Sequence, residues 1–357
     1  MMMRASVLPH RGRTAMSALP VIDLKDASSF PSRRVEAWKY SDLRKYLREA
    51  PAPSPSAAIP MTGGGPFEAL GGEPMAFVNG RAVGVNTLMA CGTQTVRLRL
   101  ITKAEGTGHA TTARISARAG ARLLILETHE GEGAAYVAHN RLELDVAHDA
   151  EVTRIVLADE PEDAISISQA KVRVAPGGRY RQTIVTTGAK LQRLETEVTH
   201  LGQGADVRMD GLYALTGARQ ADLTSVVDHT AANGTTSQLT KGVVRDAARG
   251  VFQGKIVVER GADGTDARMG HHALILSERG EVDAKPELII YADDVQCAHG
   301  NTVGNLDQNA LFYMQQRGLP LDEARALLTE AFLIEVVDRI DHEGAREVVR
   351  EWLTARL

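Results

Sequence analysis

The hydrophobic pattern divides the chain into a long β-rich middle and two helical flanks. Between residues 95 and 300, short runs rich in Val, Ile, Leu and Thr are separated by small polar turns. The run RLELDV at residues 141–146 alternates apolar and charged positions, which is the period-two pattern of a half-buried strand. Because a 3.6-residue period is missing there, the pattern predicts strands rather than helical repeats.

The turns of this region recur at a nearly constant interval. Small turn residues mark the repeat, and they are Gly120, Asp149, Gly178, Gly204, Gly234 and Gly264. The interval from Gly178 to Gly204 is shorter than the others. Such a repeat predicts coils of strands that stack and bury one continuous core. We therefore expect a mainly β fold, either a β-helix or a closely related stacked β-sandwich. An exposed strand edge is expected at each end, covered partly by the terminal helices and otherwise by a partner.

The N-terminal flank combines helix, loop and hairpin signals. Residues 30–50 carry apolar anchors that predict two short helices, with Trp38 as a packing residue. Five prolines and three glycines in residues 51–66 predict a linker or surface loop. A hairpin is predicted around Asn79-Gly80, because this residue pair is typical of a type I′ turn.

The C-terminal flank predicts three short helices. The first is expected to begin near Asp307 and the second near Pro320. The third has apolar residues at i, i+3, i+4, i+7 and i+8 from Ala345 to Leu353, which is a full amphipathic stripe. Three such helices bury one face on each other, and a remaining face that carries Trp352 would suit a docking partner.

These signals predict four parts of the chain. They are a leader that is expected to be disordered (1–29), an N-terminal helical region with linker and hairpin (30–92), a β-helix core (93–300) and a C-terminal helical domain (301–357). The leader starts basic, hydroxyl-rich and without acidic residues, as a transit peptide does. A disordered leader, or a start codon placed too early with Met16 as the alternative, is the favoured interpretation of that composition.

Composition and charge exclude several classes of function. The chain has 357 residues, and 41 Lys and Arg against 45 Asp and Glu predict no broad basic surface for nucleic acid. No apolar run approaches the roughly 20 residues that a membrane-spanning helix needs. Two widely separated cysteines suit a reducing compartment rather than a disulfide framework, so we expect a cytoplasmic protein.

The strongest chemical signal lies in residues 285–318, where the β region gives way to the helices. Cys297 and His299 share one face if their strand is unbroken, and Gly300 and Gly304 are expected to end it. A thiolate and an imidazole aimed at one point suit a transition metal or an iron–sulfur cluster. Because such sites generally need about four ligands, the pair predicts half of a shared site.

Other histidines fall at or near the repeat spacing. His200 and His229 lie one period apart and His271 lies close to one period before His299, so each pair is expected at equivalent positions of neighbouring coils. A structural role is favoured for the first pair and a functional one for His299, with His271 as a neighbour that would supply an extra ligand. Cys91 is expected to be an incidental thiol. The motifs of P-loop nucleotide binding, serine hydrolases and zinc proteases are missing from the sequence, and no catalytic residue is assigned.

Several stretches resemble the SufB/SufD family of iron–sulfur cluster assembly proteins, most closely its SufD branch. They are ADDVQCAHG at 292–300 with its continuation through TVG, LD, ALFY and QRG, PSRRVEAWKY at 31–40, FVNG at 77–80, and residues 250–269. The resemblance covers nearly the whole chain from about Phe30 onward. It implies a right-handed parallel β-helix core flanked by N-terminal and C-terminal α-helical regions.

The resemblance also implies partners and a site. The chain would be a non-catalytic subunit that pairs with a SufB paralogue through its β-helix edge and binds the ATPase SufC through its C-terminal helices. His299 matches the family histidine implicated in holding iron or the nascent cluster, and Cys297 matches the motif cysteine. Iron or cluster would be transient cargo shared with the partner. The residues leave open whether the complex holds a reduced flavin and whether the isolated chain homodimerises.

Two stretches depart from the family pattern. Asn301-Thr302 stands where the family usually continues with Ala-Thr. Met269 and His271-His272 stand where glutamine and asparagine are expected, which puts in doubt the polar partners of that coil.

Two other classes of protein stay open at this point. A β-helix carbohydrate-active enzyme, such as a polysaccharide lyase or hydrolase, would use a groove lined by carboxylates and arginines. Such enzymes are usually secreted, and no secretory signal is apparent in the sequence. The other class is a purely structural interaction module. Copurification with an ATPase and a paralogue distinguishes both from the assembly subunit.

Overall fold

The computed structural model describes residues 20–58 and 64–357. The start of the predicted leader and part of the predicted linker therefore lie outside the described residues. Strands dominate the described chain, and in chain order they are β1 (Glu73–Val78), β2 (Arg81–Val83), β3 (Thr87–Ala90), β4 (Thr93–Thr102), β5 (Gly108–Ala117), β6 (Arg122–Gly131), β7 (Val137–Val146), β8 (Glu151–Asp159), β9 (Ile165–Val174), β10 (Arg179–Thr186), β11 (Leu191–His200), β12 (Asp206–Leu215), β13 (Gln220–His229), β14 (Thr235–Val244), β15 (Arg249–Val258), β16 (Thr265–Ile275), β17 (Glu281–Ile290) and β18 (Val295–Gly304).

Successive strands alternate between two stacked sheets. One sheet has the order β18-β16-β14-β12-β10-β8-β6-β4-β1-β2 and the other the order β17-β15-β13-β11-β9-β7-β5-β3. Neighbouring strands are parallel except for β1 and β2. Each coil thus adds one strand to each sheet, and the prediction of a parallel β-helix is confirmed.

The register explains the spacing of the turns. Gln220 pairs with Arg249 on the next coil, and the interval between them equals the one that separates Gly120 from Asp149 in the sequence. Arg179 pairs with Asp206 across a shorter coil, which accounts for the one short interval between turns. The predicted period is therefore the length of one coil.

Alternate positions of each strand point into the solenoid and form its core. Apolar side chains fill most of this interior, including Val96, Ile125, Val152, Val172, Val207, Val227 and Ile256. The fold also contains a buried ion pair, in which two nitrogens of Arg154 each donate to a carboxylate oxygen of Glu127 over 2.8 Å. Bidentate pairing of this kind satisfies charges that would otherwise be costly to bury.

The N-terminal flank packs on the outside of the solenoid. Asn79 and Gly80 have φ values of 45° and 79°, as a type I′ turn requires, and they join the antiparallel pair β1–β2, so the hairpin prediction is confirmed. The predicted helices are a 3-10 turn at Glu36–Trp38 and one α-helical turn, α1, at Leu43–Tyr46. Trp38 is buried as expected, with the guanidinium of Arg193 4.4 Å from its ring.

The predicted disorder of the leader is wrong for its last ten residues. Ile22 and Leu24 are buried in a cluster with Phe30 and Leu191, and a 3-10 turn forms at Ala27–Ser29. These apolar side chains pack on the outer face of the smaller sheet, a contact that the sequence pattern did not reveal.

The C-terminal flank contains α2 (Gln308–Gln316), α3 (Leu321–Val337) and α4 (Glu343–Thr354). Asp307 and Pro320 lie at the helix starts as predicted. Helices α3 and α4 pack on the outer face of the larger sheet instead of covering its edge. Trp352 is buried in that contact, so its predicted free face is wrong; the exposed aromatic residues of this flank are Phe312 and Tyr313 on α2. No described helix is long and apolar enough to span a membrane.

Candidate functional site

The candidate site lies on the last coil of the solenoid. Strand β18 ends the larger sheet and pairs only with β16, while β17 ends the smaller sheet and pairs only with β15. Among the described residues, no strand pairs with the far side of either one. Strand β18 also runs four residues beyond the predicted core boundary at residue 300. The site therefore sits beside two unpaired backbone edges, which are a template for pairing with another chain.

Cys297 and His299 share one face of β18, as predicted. Cys297 pairs with Ala267 and His299 with Met269, and both partners belong to the interior core. Cys297 packs against that core, but His299 is exposed because no further coil covers it. The predicted break at Gly300 is wrong, since β18 continues past it, and the predicted end at Gly304 is confirmed.

The Cys297 thiol is not activated by its surroundings. Partial burial raises its pKa, and nearby Asp266 acts in the same direction, while the backbone at Ala267 partly opposes them. Because the thiolate is the metal ligand, binding here would have to release the thiol proton. A positively charged group or a metal brought by a partner would favour that step.

The described residues do not form a complete metal centre. No group of three or more His, Cys, Asp or Glu side chains in the described ranges is placed to hold a metal ion. Cys297 and His299 therefore supply two ligands at most, at an edge where a second chain can add its own. That the pair forms half of a shared site stays a prediction.

Comparison with known proteins places these features in a family. Residues 100–332 match the family model described as "SUF system FeS cluster assembly, SufBD core domain", a range that includes β5 to β18 and the candidate site. The chain belongs to the SufB/SufD family. Its relatives place it on the SufD branch. It is 30% identical over 217 residues to the iron–sulfur cluster assembly protein SufD of Escherichia coli (61% of this chain, 51% of the relative) and 33% identical over 188 residues to SufD of Bacillus subtilis (52% and 36%).

A further relative is the SufBD family protein slr0076 of Synechocystis, which is 32% identical over 214 residues. The match covers 60% of this chain and 47% of that protein. The chain thus spans about half the length of the curated relatives that it matches.

His271 does not lie opposite His299, and the expectation from their spacing in the sequence is wrong. The coil from β16 to β18 is longer than that spacing, so His271 pairs with Asn301. Its ring is buried and stacked on Phe252, with 4.7 Å between centroids. Its Nδ1 lies 2.7 Å from Asn301 Oδ1 and its Nε2 lies 3.0 Å from Tyr213 Oη. Both ring nitrogens are engaged, and burial lowers the pKa of His271 to about 4.

His271 and His272 on β16 both contact polar residues of β18. His271 pairs with Asn301, and the neighbouring His272 places its Nδ1 2.7 Å from Thr302 Oγ1. Two polar side-chain contacts therefore link β16 to β18 next to the candidate site. Sequence reasoning missed these contacts and the role of Tyr213, although Asn301 stands at period two after His299 and could have been placed on the same face.

His200 and His229 pair in register, as predicted, and their rings stack with 4.0 Å between centroids. Thr236 Oγ1 lies 2.9 Å from His229 Nε2 and 3.3 Å from His200 Nε2. Burial lowers the pKa of His200 to about 3 and that of His229 to about 4, so both are neutral at physiological pH. This agrees with the structural role favoured for the pair. Cys91 is exposed and lies far from the site in sequence.

Proposed function

We propose that this chain is a non-catalytic, SufD-like subunit of an iron–sulfur cluster assembly scaffold. It pairs with a SufB-like paralogue through the β17 and β18 edges, and His299 with Cys297 contributes half of a site for iron or a nascent cluster. The observation that carries the proposal is the place of these two residues on β18, the end strand of the larger sheet, whose outer edge pairs with no described strand. One neighbouring chain would add both backbone hydrogen bonds and the missing ligands.

The surroundings of the site support a protein partner. Ile290, Tyr291 and Val303 are large apolar residues that stay exposed on the last coil, with 49% of Tyr291 accessible. Unpaired backbone next to exposed apolar side chains favours strand addition by a partner. In the isolated chain the same edge favours a homodimer.

The second partner is an ATPase subunit of the SufC type, which we place on the C-terminal helices. Phe312 and Tyr313 are exposed on α2, and 63% of Phe312 is accessible. Aromatic residues of this kind are frequent anchors at the centre of protein interfaces. Helix α2 directly follows β18, so movement of a protein bound there would reach the candidate site.

The test is iron binding by the reconstituted complex with paralogue and ATPase. His299→Ala should reduce iron content and cluster formation, measured by anaerobic Mössbauer and absorption spectroscopy, without loss of complex assembly. His148→Ala is the matched control, because His148 is an exposed histidine far from β18 whose Nδ1 lies 2.7 Å from the Asp149 carboxylate. Normal cluster formation by the His299→Ala complex would refute the site assignment.

A further inference from the structure

A small cavity lies on the outer face of the smaller sheet, away from the last-coil site. Strands β11, β13, β15 and β17 form its floor, and the N-terminal segment at Pro20, Glu36 and Ala37 closes it. Its volume is about 180 Å³. Because pockets for drug-sized ligands usually start at roughly 300 Å³, this one suits a single side chain or a small molecule.

Several of the charges in the lining neutralise each other. Lys285 Nζ lies 2.6 Å from Glu36 Oε1 and 3.3 Å from Glu287 Oε2. Glu195 Oε1 accepts from Arg193 over 3.0 Å. These carboxylates and the Lys285 ammonium therefore have partners.

The carboxylates of Asp228 and Glu197 have no such partner among the described residues. Asp228 is 2% exposed and Glu197 is 3% exposed, and both line the cavity. Neither carboxylate accepts a hydrogen bond or forms an ion pair within the described chain, and Asp228 Oδ1 is fully buried without a partner. Burial raises the pKa of Asp228 to about 6, with Glu259 and Glu197 adding repulsion. Buried carboxylates nearly always have a partner, because removing an ion from water is costly.

The nearest lysines do not supply that partner. Lys255 lines the cavity and Lys171 pairs with Glu197 in register, but neither ammonium comes within 4.0 Å of a carboxylate oxygen in the described chain. Their attraction opposes the effect of burial, yet the pKa values of Asp228 and Glu197 are still raised. The floor of the cavity therefore lacks a positive charge in contact with Asp228 or Glu197.

We propose that this cavity binds an organic cation, a guanidinium or alkylammonium group on a short aliphatic stem, whose charge sits between Asp228 and Glu197. The aliphatic lining from Pro20, Val226 and Val257 suits the stem. A bare metal ion does not suit the cavity, since no described group of three metal-binding side chains occurs there. The proposal does not depend on the last-coil site.

Two sources of the cation share this chemistry. The nineteen residues before Pro20 contain Arg4, Arg11 and Arg13 and no Asp or Glu, so the sequence of this chain includes one source of such a cation. The other source is a free amine or guanidine, or such a group on another molecule.

The experiment measures binding of n-propylguanidinium to the full chain by titration calorimetry, with the neutral isostere n-propylurea as the reference probe. A second full-length protein, Arg4→Gln/Arg11→Gln/Arg13→Gln, removes the internal source. We expect at least one of the two proteins to bind n-propylguanidinium about tenfold or more tightly than n-propylurea, because only the charged probe can pair with the buried carboxylates. Tighter binding by the triple variant would identify the N-terminal segment as the occupant, and equal binding would identify an external cation.

The carboxylates are tested in whichever protein binds. Asp228→Asn/Glu197→Gln should abolish the preference, while Glu143→Gln, at an exposed carboxylate on the same face of the smaller sheet, should leave it unchanged. The double variant removes two unpaired charges, so folding should be retained; circular dichroism checks it, and Asp228→Asn alone replaces the double variant if that variant is unfolded. The proposal is overturned if neither protein distinguishes the two probes, or if the carboxylate variant still does.

Discussion

The stacked pair His200 and His229 predicts that Gly234→Ala destabilises the solenoid. A Cβ atom at position 234 would lie 2.7 Å from His229 Nδ1 and 2.9 Å from His200 Nδ1, closer than real Cβ contacts allow. The backbone at Gly234 is not in the left-handed region, so only this contact opposes alanine. The rings have little freedom to move, because Thr236 holds both and each stacks on the other.

The expected cost follows from two opposing effects. Overpacking a filled core typically costs about 1–3 kcal/mol. Replacing glycine by alanine reduces the entropy of the unfolded chain and stabilises by about 0.4–1 kcal/mol where no clash occurs. We therefore expect Gly234→Ala to lower the free energy of unfolding by about 1–2 kcal/mol.

Urea denaturation followed by circular dichroism measures this loss. Gly304→Ala is the matched control, since its Cβ would meet nothing within 4 Å and its φ is not in the left-handed region. That variant should be neutral or slightly stabilised. If Gly234→Ala were as stable as Gly304→Ala, the rings would not be held as described, and the reasoning from the contact would be refuted.

Three further changes test the interior and the surface. Acidification from pH 7 to pH 5 should lower the free energy of unfolding, because His200 and His229 stay neutral in the folded protein while the unfolded chain takes up protons at both below about pH 6.5. The loss is up to about 1.4 kcal/mol per pH unit for each histidine. The variant His200→Gln/His229→Gln should show a urea midpoint that depends less on pH, and an equally steep dependence would contradict this. Arg154→Met should cost up to about 3–5 kcal/mol in the same assay, because it leaves the Glu127 carboxylate buried with only His129 beside it. Adding Glu127→Gln should recover part of the loss, and no recovery would argue against the Arg154–Glu127 pair. Phe312→Asp should weaken copurification with the ATPase while leaving the urea midpoint unchanged, and undiminished capture would remove α2 from the interface.

Local sequence patterns predicted those features of the fold that depend on residues close together in the chain. Asn79-Gly80 predicts its turn because two successive residues need positive φ. Cys297 and His299 share a face because alternation is a property of any strand. The register of His200 with His229 followed from the repeat, since the coil between them has the regular length.

The failures occur where distant elements meet. His271 lies opposite Asn301 because its coil is longer than the interval from His271 to His299, and a difference of one or two positions decides which side chains face each other. Trp352 is buried because α4 docks on the larger sheet, a contact that the amphipathic stripe permits but does not locate.

The sequence by itself determined the repeat, the two-residue alternation that lines the interior, the helical flanks and the strand face that Cys297 and His299 share. Only the tertiary structure decided that α3 and α4 pack on the sheet face instead of its edge, that His271 is engaged by Tyr213 and Asn301, and that Asp228 is buried without a cation. The reason is physical: periodicity depends on backbone geometry along the chain, whereas burial and charge pairing depend on how segments far apart in sequence come together.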